Sequence, residues 1–237
     1  MASIPLADKA HPFLDYLEDW LAGLPALSLA EAIPAPERSA IVSVDIINGF
    51  CYEGPLASPR VAGLVDPIVR LFQAAWRAGV RNIALSQDTH EPDAIEFAQY
   101  PAHCVRGTHE SEAVAAFQAL PFFDQMTILP KNSINAALNS GLNEWITSQP
   151  HLDNFIVVGD CTDLCVYQLA MHLRLDANAR QIKRRVVVPV NCVETYDLPV
   201  HTAKETGAVP HPGDLMHAVF LYHMMLNGIE VVKEIRE

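Results

Sequence analysis

Three reactive side chains stand out by type and by position. Cys165 closes the run Val158-Gly-Asp-Cys-Thr-Asp-Leu-Cys165, Lys131 follows Pro130, and Asp45 ends the run Ala40-Ile-Val-Ser-Val-Asp45. A free thiol titrates at about 8.5 and is mostly protonated at neutral pH, and a nearby ammonium or a helix N-terminus favours the thiolate. A carboxylate within reach can take the thiol proton and later hand it to a leaving amine. Cys165, Asp45 and Lys131 thus form a candidate nucleophile, base and charge-steadying cation. Taken singly, each has a plainer reading. The cysteine could be a small packing residue, the aspartate a helix cap or turn former, and the lysine a solvated loop charge.

A second set follows the next apolar run. Asp88 and His90 are separated by one residue in Gln87-Asp-Thr-His90, and His103 comes shortly after in Tyr100-Pro-Ala-His103-Cys-Val-Arg-Gly-Thr108. Asp88, His90 and His103 supply two nitrogens and an oxygen, a set that suits Zn²⁺, Fe²⁺ or Mn²⁺ with positions left for water or substrate. Cys104, a soft donor beside His103, reads as packing behind the site, and His109 as a surface residue. His211, His217 and His223 read as surface, core or interface residues, because the last two do not share a helix face. Cys51 and Cys192 have no motif around them.

The elements that would hold these groups alternate. Strands are predicted at Ala40–Asp45, Val80–Ser86, Met126–Leu129, Asn154–Val158 and Arg185–Val190, with a short last one at Ile229–Val232. Helices are predicted at Leu64–Ala78, Glu110–Gln118, Leu142–Gln149, Leu164–Leu175 and Gly213–Asn227. β-branched runs separated by helical periodicity predict a central, mostly parallel sheet with helices on both faces, a three-layer α-β-α architecture. Ligands of such sheets collect beyond the carboxyl ends of the strands, where Asp45, Lys131 and Cys165 all fall. Residues 1–38 read as a short helical N-terminal extension, with helices at Phe13–Ala22 and Leu27–Ala32, ahead of one domain over 39–237.

The chain has 237 residues, half of them hydrophobic, which is ample for one sizeable core. A net charge of −12 argues against nucleic acid or an anionic membrane as the partner, since both select clustered Lys and Arg. No apolar run approaches the roughly 20 residues that span a bilayer, and the acidic start does not read as a signal peptide. Five cysteines, an odd number, fit reduced thiols and a cytoplasmic location.

The quoted runs carry a family resemblance. Val44-Asp-Ile-Ile-Asn-Gly-Phe50, Pro130-Lys-Asn-Ser and Gly159-Asp-Cys-Thr-Asp-Leu-Cys165-Val resemble, in order, the three motifs of the isochorismatase-like cysteine hydrolases. The resemblance covers roughly residues 39–232. It implies Asp45 as general base, a cis peptide just before Cys161, and an oxyanion hole from the N–H groups of Cys161 and Cys165. The Asp-x-His and Pro-x-His-Cys-x-x-Gly-Thr segments are similar to the nicotinamidase branch, whose metal binds the ring nitrogen of nicotinamide. Many members place a third histidine between these segments. This chain has none there, so the resemblance implies Glu96 as a fourth ligand, with zinc favoured as the metal. It also implies Phe50 and Tyr100 as walls for a planar ring. Leu164 stands where the family often has a polar residue beside the nucleophile.

The expectation is a metal-assisted cysteine amidohydrolase that converts nicotinamide to nicotinate and ammonia through a thioester. Its partner would be a small-molecule amide, and the protein would be a homo-oligomer. The alternatives are another small-amide or ureide hydrolase of the family, or a non-catalytic oligomeric binding protein.

Overall fold

The computed structural model describes residues 5–237; residues 1–4 of the expected extension lie outside it. Helix α1 (Leu6–Ala22) leads into strand β1 (Ala26–Ser28) and one-turn helix α2 (Leu29–Ala32). Strand β2 (Ser39–Val44) is followed by the short α3 (Asn48–Cys51) and α4 (Pro59–Ala62), then α5 (Val65–Ala78) and β3 (Asn82–Asp88). After an irregular stretch come α6 (Ala115–Gln118), β4 (Thr127–Lys131) and α7 (Leu142–Thr147). Next are β5 (Asn154–Asp160), α8 (Cys165–Arg180), β6 (Arg185–Pro189) and β7 (Val193–Glu194). The chain finishes with α9 (Val200–Thr206), α10 (Gly213–Leu226), β8 (Glu230–Val232) and β9 (Glu234–Arg236).

The main sheet has the order β4-β3-β2-β5-β6-β8, with β7 beside the end of β5, and every pairing in it is parallel. From β2 the chain moves outward through β3 to β4, then returns to β5 and moves outward the other way. The order therefore reverses between β2 and β5, the place where parallel sheets open a crevice beyond the strand ends.

Both central strands are buried at every position, which is why they read as unbroken apolar runs. Alternate side chains enter opposite cores. Ile41, Ile156 and Val158 join one with Ile68, Leu71 and Phe72 of α5. Val42, Val44, Phe155 and Val157 join the other with Leu169 and Leu173 of α8 and Leu221 of α10. Helix α5 buries residues at three- and four-residue spacing and stops at Gly79, whose φ of +108° suits a residue without a Cβ.

Several expected elements shift. Strand β3 runs two residues further than Val80–Ser86 and carries Asp88 within the ladder. Strand β4 reaches past Leu129 to Lys131, and Pro130 is tolerated because β4 is an edge strand. The helix expected over Glu110–Gln118 shrinks to one turn at Ala115–Gln118, because the Glu110 carboxylate instead accepts the Cys104 N–H at 2.9 Å. Helix α7 stops at Thr147 rather than Gln149, and α8 runs on to Arg180. The helix expected over Leu27–Ala32 is divided. Residues 26–28 pair in parallel with β9, and only Leu29–Ala32 is helical, started by a Ser28–Glu31 capping box. Helix α1 packs on α10, with Phe13 and Trp20 each 5.3 Å from the Tyr222 ring. Asn154 Nδ2 donates to Ala32 O at 2.9 Å, which anchors this segment at the amino end of β5, the opposite end of the sheet from the crevice.

One glycine makes the centre possible. Gly159 has φ +115°, and a Cβ there would stand 2.0 Å from Val44 O on the neighbouring strand. Gly159→Ala must therefore push β5 away from β2 just where Asp45 begins. Urea unfolding should show a loss of about 3 kcal/mol or more, and a variant as stable as the parent would refute this account.

Candidate active site

The ends of four strands deliver the reactive groups to one place. Asp45 follows β2 with φ +56°, its N–H donating to Ser86 O at 2.8 Å. Asp88 and Lys131 are the last residues of β3 and β4 and are direct partners in the ladder. Cys165 is the first residue of α8, just beyond β5. Lys131 Nζ lies 2.8 Å from Asp45 Oδ2, 2.5 Å from Asp88 Oδ1 and 3.5 Å from Cys165 Sγ. Asp45 Oδ1 accepts the Asp88 N–H at 2.7 Å. Asp45 Oδ2 touches the ammonium but has no aligned hydrogen bond among the described residues, so it is a buried acceptor open to a donor. Both carboxylates lie within 4.8 Å of the sulfur.

Burial and charge set the protonation states. Burial works to deprotonate Lys131, but Asp45 and Asp88 outweigh it and hold the ammonium well above its ordinary range. For Asp88, burial is outweighed by Lys131 and then His90, and its carboxyl is held low. Asp45 is pushed up to about 6, by burial first and the charge of Asp88 second, with Lys131 pulling the other way. Cys165 differs from expectation. Burial pushes its thiol well above the usual range; Lys131 draws it down, but Asp45 and Asp88 add to the rise. The resting sulfur therefore keeps its proton, and Asp45, raised toward neutrality and within 4.8 Å, is a carboxylate that could take it.

Asp88 also faces the other way. Its Oδ2 is 3.5 Å from His90 Nε2 and 3.9 Å from His103 Nε2. A divalent ion bonded to all three would set the donor atoms about 3.4 Å apart. His90 Nδ1 meets Asn132 Oδ1 and His103 Nδ1 meets Pro101 O, each at 2.8 Å. Both partners are acceptors for Nδ1, which leaves each Nε2 facing Asp88. His90 Nε2 is buried with no hydrogen-bond partner among the described residues. An unsatisfied nitrogen beside a buried carboxylate fits a divalent metal, and Asp88, His90 and His103 could hold one.

Glu96 is not part of that convergent group. It lies half-buried in the turn Ile95–Ala98 and, with Tyr100, Asn132 and Ile134, lines an adjoining cleft of about 530 Å³. Phe50 is buried against the His103 ring at 5.6 Å, and Leu164 caps α8 half-buried beside Cys165. The peptide between Asp160 and Cys161 is cis. In the turn that follows, Cys161 O accepts the N–H groups of Leu164 and Val166, and the Thr162 N–H goes to Glu194 O. Among the described residues, these bonds leave the N–H groups of Cys161, Asp163 and Cys165 unused. Cys104 is buried with its sulfur against Gly49, and His109 is exposed beside Glu53, as expected.

Some participants went unread. Asn132, next to Lys131 in sequence, orients His90. Phe97 packs on both His90 and His103, at 5.4 and 5.6 Å. Asp163 lies inside the nucleophile run but pairs with His211, 2.8 Å away and distant in sequence. A Thr-Asp pair before the nucleophile was the one local signal for it.

The geometry makes a pH test. Below about 6 Asp45 holds its own proton and cannot take another. In chelator-treated protein, Cys165 alkylation by iodoacetamide, corrected with Cys165→Ala, should therefore speed up as pH rises through that value. Asp45→Asn should remove the increase. A parent rate that is flat there would show that the sulfur passes its proton elsewhere.

Comparison with known proteins gives the fold and the family. The profile of the isochorismatase domain matches residues 39–215. Nicotinamidase 1 of Arabidopsis thaliana is 34% identical over 212 residues, covering 82% of this chain and 85% of that protein. A cysteine hydrolase from Pseudomonas syringae superposes with a TM-score of 0.68 at 21% identity, covering 85% of this chain and 90% of its own. The pyrazinamidase of Pyrococcus horikoshii, solved in complex with zinc, superposes at 0.64 with 20% identity, covering 83% and 99%. These two share the fold. The chain belongs to the isochorismatase family, within which its likeness is to the nicotinamidase branch.

Proposed function

We propose that the chain is a nicotinamidase that hydrolyses nicotinamide to nicotinate and ammonia through a thioester on Cys165. The observation that carries this reading is one ammonium, Lys131, in contact with Cys165 and with both Asp45 and Asp88, while Asp88 turns its other oxygen toward two histidines.

The amide enters by the cleft beside Tyr100 and Glu96, with Phe50 and Tyr100 walling the ring. Its carbonyl oxygen meets the N–H groups of Cys161 and Cys165. Asp45 takes the proton from the Cys165 sulfur, while Lys131 keeps the Asp88 charge compensated. The thiolate attacks the carbonyl carbon, and the two N–H donors stabilise the oxyanion, each by a few kcal/mol. Asp45 then protonates the departing ammonia, which breaks the C–N bond. Ionised again, Asp45 draws a proton from the water that cleaves the thioester, releasing the acid and restoring the thiol. Asp88, His90 and His103 would hold the divalent metal, with Glu96 near enough to shape its surroundings; zinc is favoured by the two nitrogens and one carboxylate. When bound, the ion supplies Lewis acidity and positive charge at the ring nitrogen.

The remaining parts of the proposal are cellular. Five buried free cysteines support a reducing, cytoplasmic setting, and no described helix is long and apolar enough to cross a membrane. The acidic charge disfavours nucleic acid as a partner. Exposed Phe13 and Tyr16 on α1 and Leu226 on α10 support a homo-oligomer.

Ammonia release from nicotinamide, measured in a coupled assay, should fall about 1000-fold or more in Cys165→Ala. Elemental analysis of protein purified without chelator should find a transition metal that is lost in His90→Ala. Turnover of N-carbamoyl compounds but not nicotinamide, by protein that takes up no metal, would replace this reading with a ureide hydrolase.

A further inference from the structure

The turn that carries the nucleophile is fastened to the last third of the chain by side chains that never touch the sulfur. Asp163 is buried two residues before Cys165. Its Oδ1 accepts from Thr195 Oγ1 at 2.6 Å, and its Oδ2 lies 2.8 Å from His211 Nε2. His211 Nδ1 lies 2.8 Å from Tyr196 O. The ring thus bridges the Asp163 carboxylate and the Tyr196 carbonyl, one nitrogen on each, and ties the nucleophile turn to the residue 196 loop. The His211 ring is covered by Tyr196, stacked at 3.9 Å with 14° between planes. Its backbone exchanges two hydrogen bonds with Leu198, at 2.8 and 2.9 Å. Thr162 is held as well, through its N–H to Glu194 O at 2.9 Å and its hydroxyl to His217 Nδ1 at 2.8 Å.

The residues between Cys161 and Cys165 are thus gripped from the 194–217 segment, while the N–H groups at the two ends of the turn, on Cys161 and Cys165, make no hydrogen bond among the described residues. We propose that His211 is a positioning residue. Its pair with Asp163 fixes the turn so that the N–H groups of Cys161 and Cys165 converge on the oxygen that gains charge during attack. The inference rests on the hydrolase reading above and adds to it a residue outside all three family motifs. Donors that lose their aim by about 1 Å can cost about 100-fold in rate. A mere structural tie would lower stability and leave the folded enzyme's rate constants alone.

The two roles separate in one set of measurements on the full chain: kcat and KM for nicotinamide, thermal melting, and Cys165 alkylation by iodoacetamide. Alkylation needs the sulfur but no oxyanion hole. In His211→Ala, kcat should fall about 10- to 100-fold while KM moves less than about threefold and alkylation of the folded protein keeps its rate. His211→Gln, which retains a donor for Asp163, should recover part of the lost kcat. Should His211→Ala not fold, Thr195→Val, which removes the bond to Asp163 Oδ1 and leaves the His211 pair in place, carries the test with a smaller fall in kcat. An unchanged kcat, or a fall matched by an equal fall in alkylation, overturns the inference while leaving the hydrolase reading intact. A parent protein that hydrolyses no amide overturns both.

Discussion

A buried ammonium between two buried carboxylates is the constraint on which the site depends. Lys131 has no exposed side-chain surface, and Asp45 and Asp88 are almost as enclosed. A lone charge in such a place costs several kcal/mol, and losing one partner leaves the other uncompensated. The contacts exist only if β2, β3 and β4 align in the observed register, with Asp88 opposite Lys131. Catalytic geometry and sheet register are therefore one requirement. The charges still do not cancel: two carboxylates against one ammonium leave an excess negative charge. Part of it is relieved by Asp45, whose pKa is pushed up to about 6. A divalent cation on Asp88, His90 and His103 would relieve the rest and make room for a thiolate.

This arrangement explains why Asp88 matters twice. One oxygen holds the lysine that touches the sulfur, and the other faces the two histidines. The lysine beside the sulfur and the two histidines thus share a single carboxylate, and a change at Asp88 reaches both. Asn132 extends the coupling, since it follows Lys131 on the chain and bonds to His90.

What could be read in advance was whatever is local in sequence. β-branched runs ending in Asp45 or leading to Cys165 mark strand ends, and strand ends mark the crevice. Asp88, His90 and His103 were legible because their donor types match a metal's demands. Pairings made by register or by distant segments were not. Nothing near Asp88 announces Lys131 as its ladder neighbour, and nothing near Asp163 announces His211. The strand at Ala26–Ser28 forms only against β9 at the far end of the chain, and local apolar spacing there resembles a helix. The strength with which the sulfur holds its proton is another such property: ammonium and helix end both favour the thiolate, but the summed effect of burial and two carboxylates appears only when all are placed together.

The left-handed turn at Asp45 has a consequence of its own. Aspartate is among the residues that enter that conformation most readily, and the bend turns its carboxylate back onto Lys131. Glutamate at this site would push one more methylene into a place with 1% of its side-chain surface exposed, so a nominally equivalent acid is disfavoured by room and reach. The choice between two chemically similar carboxylates is made by the space left at the end of a strand.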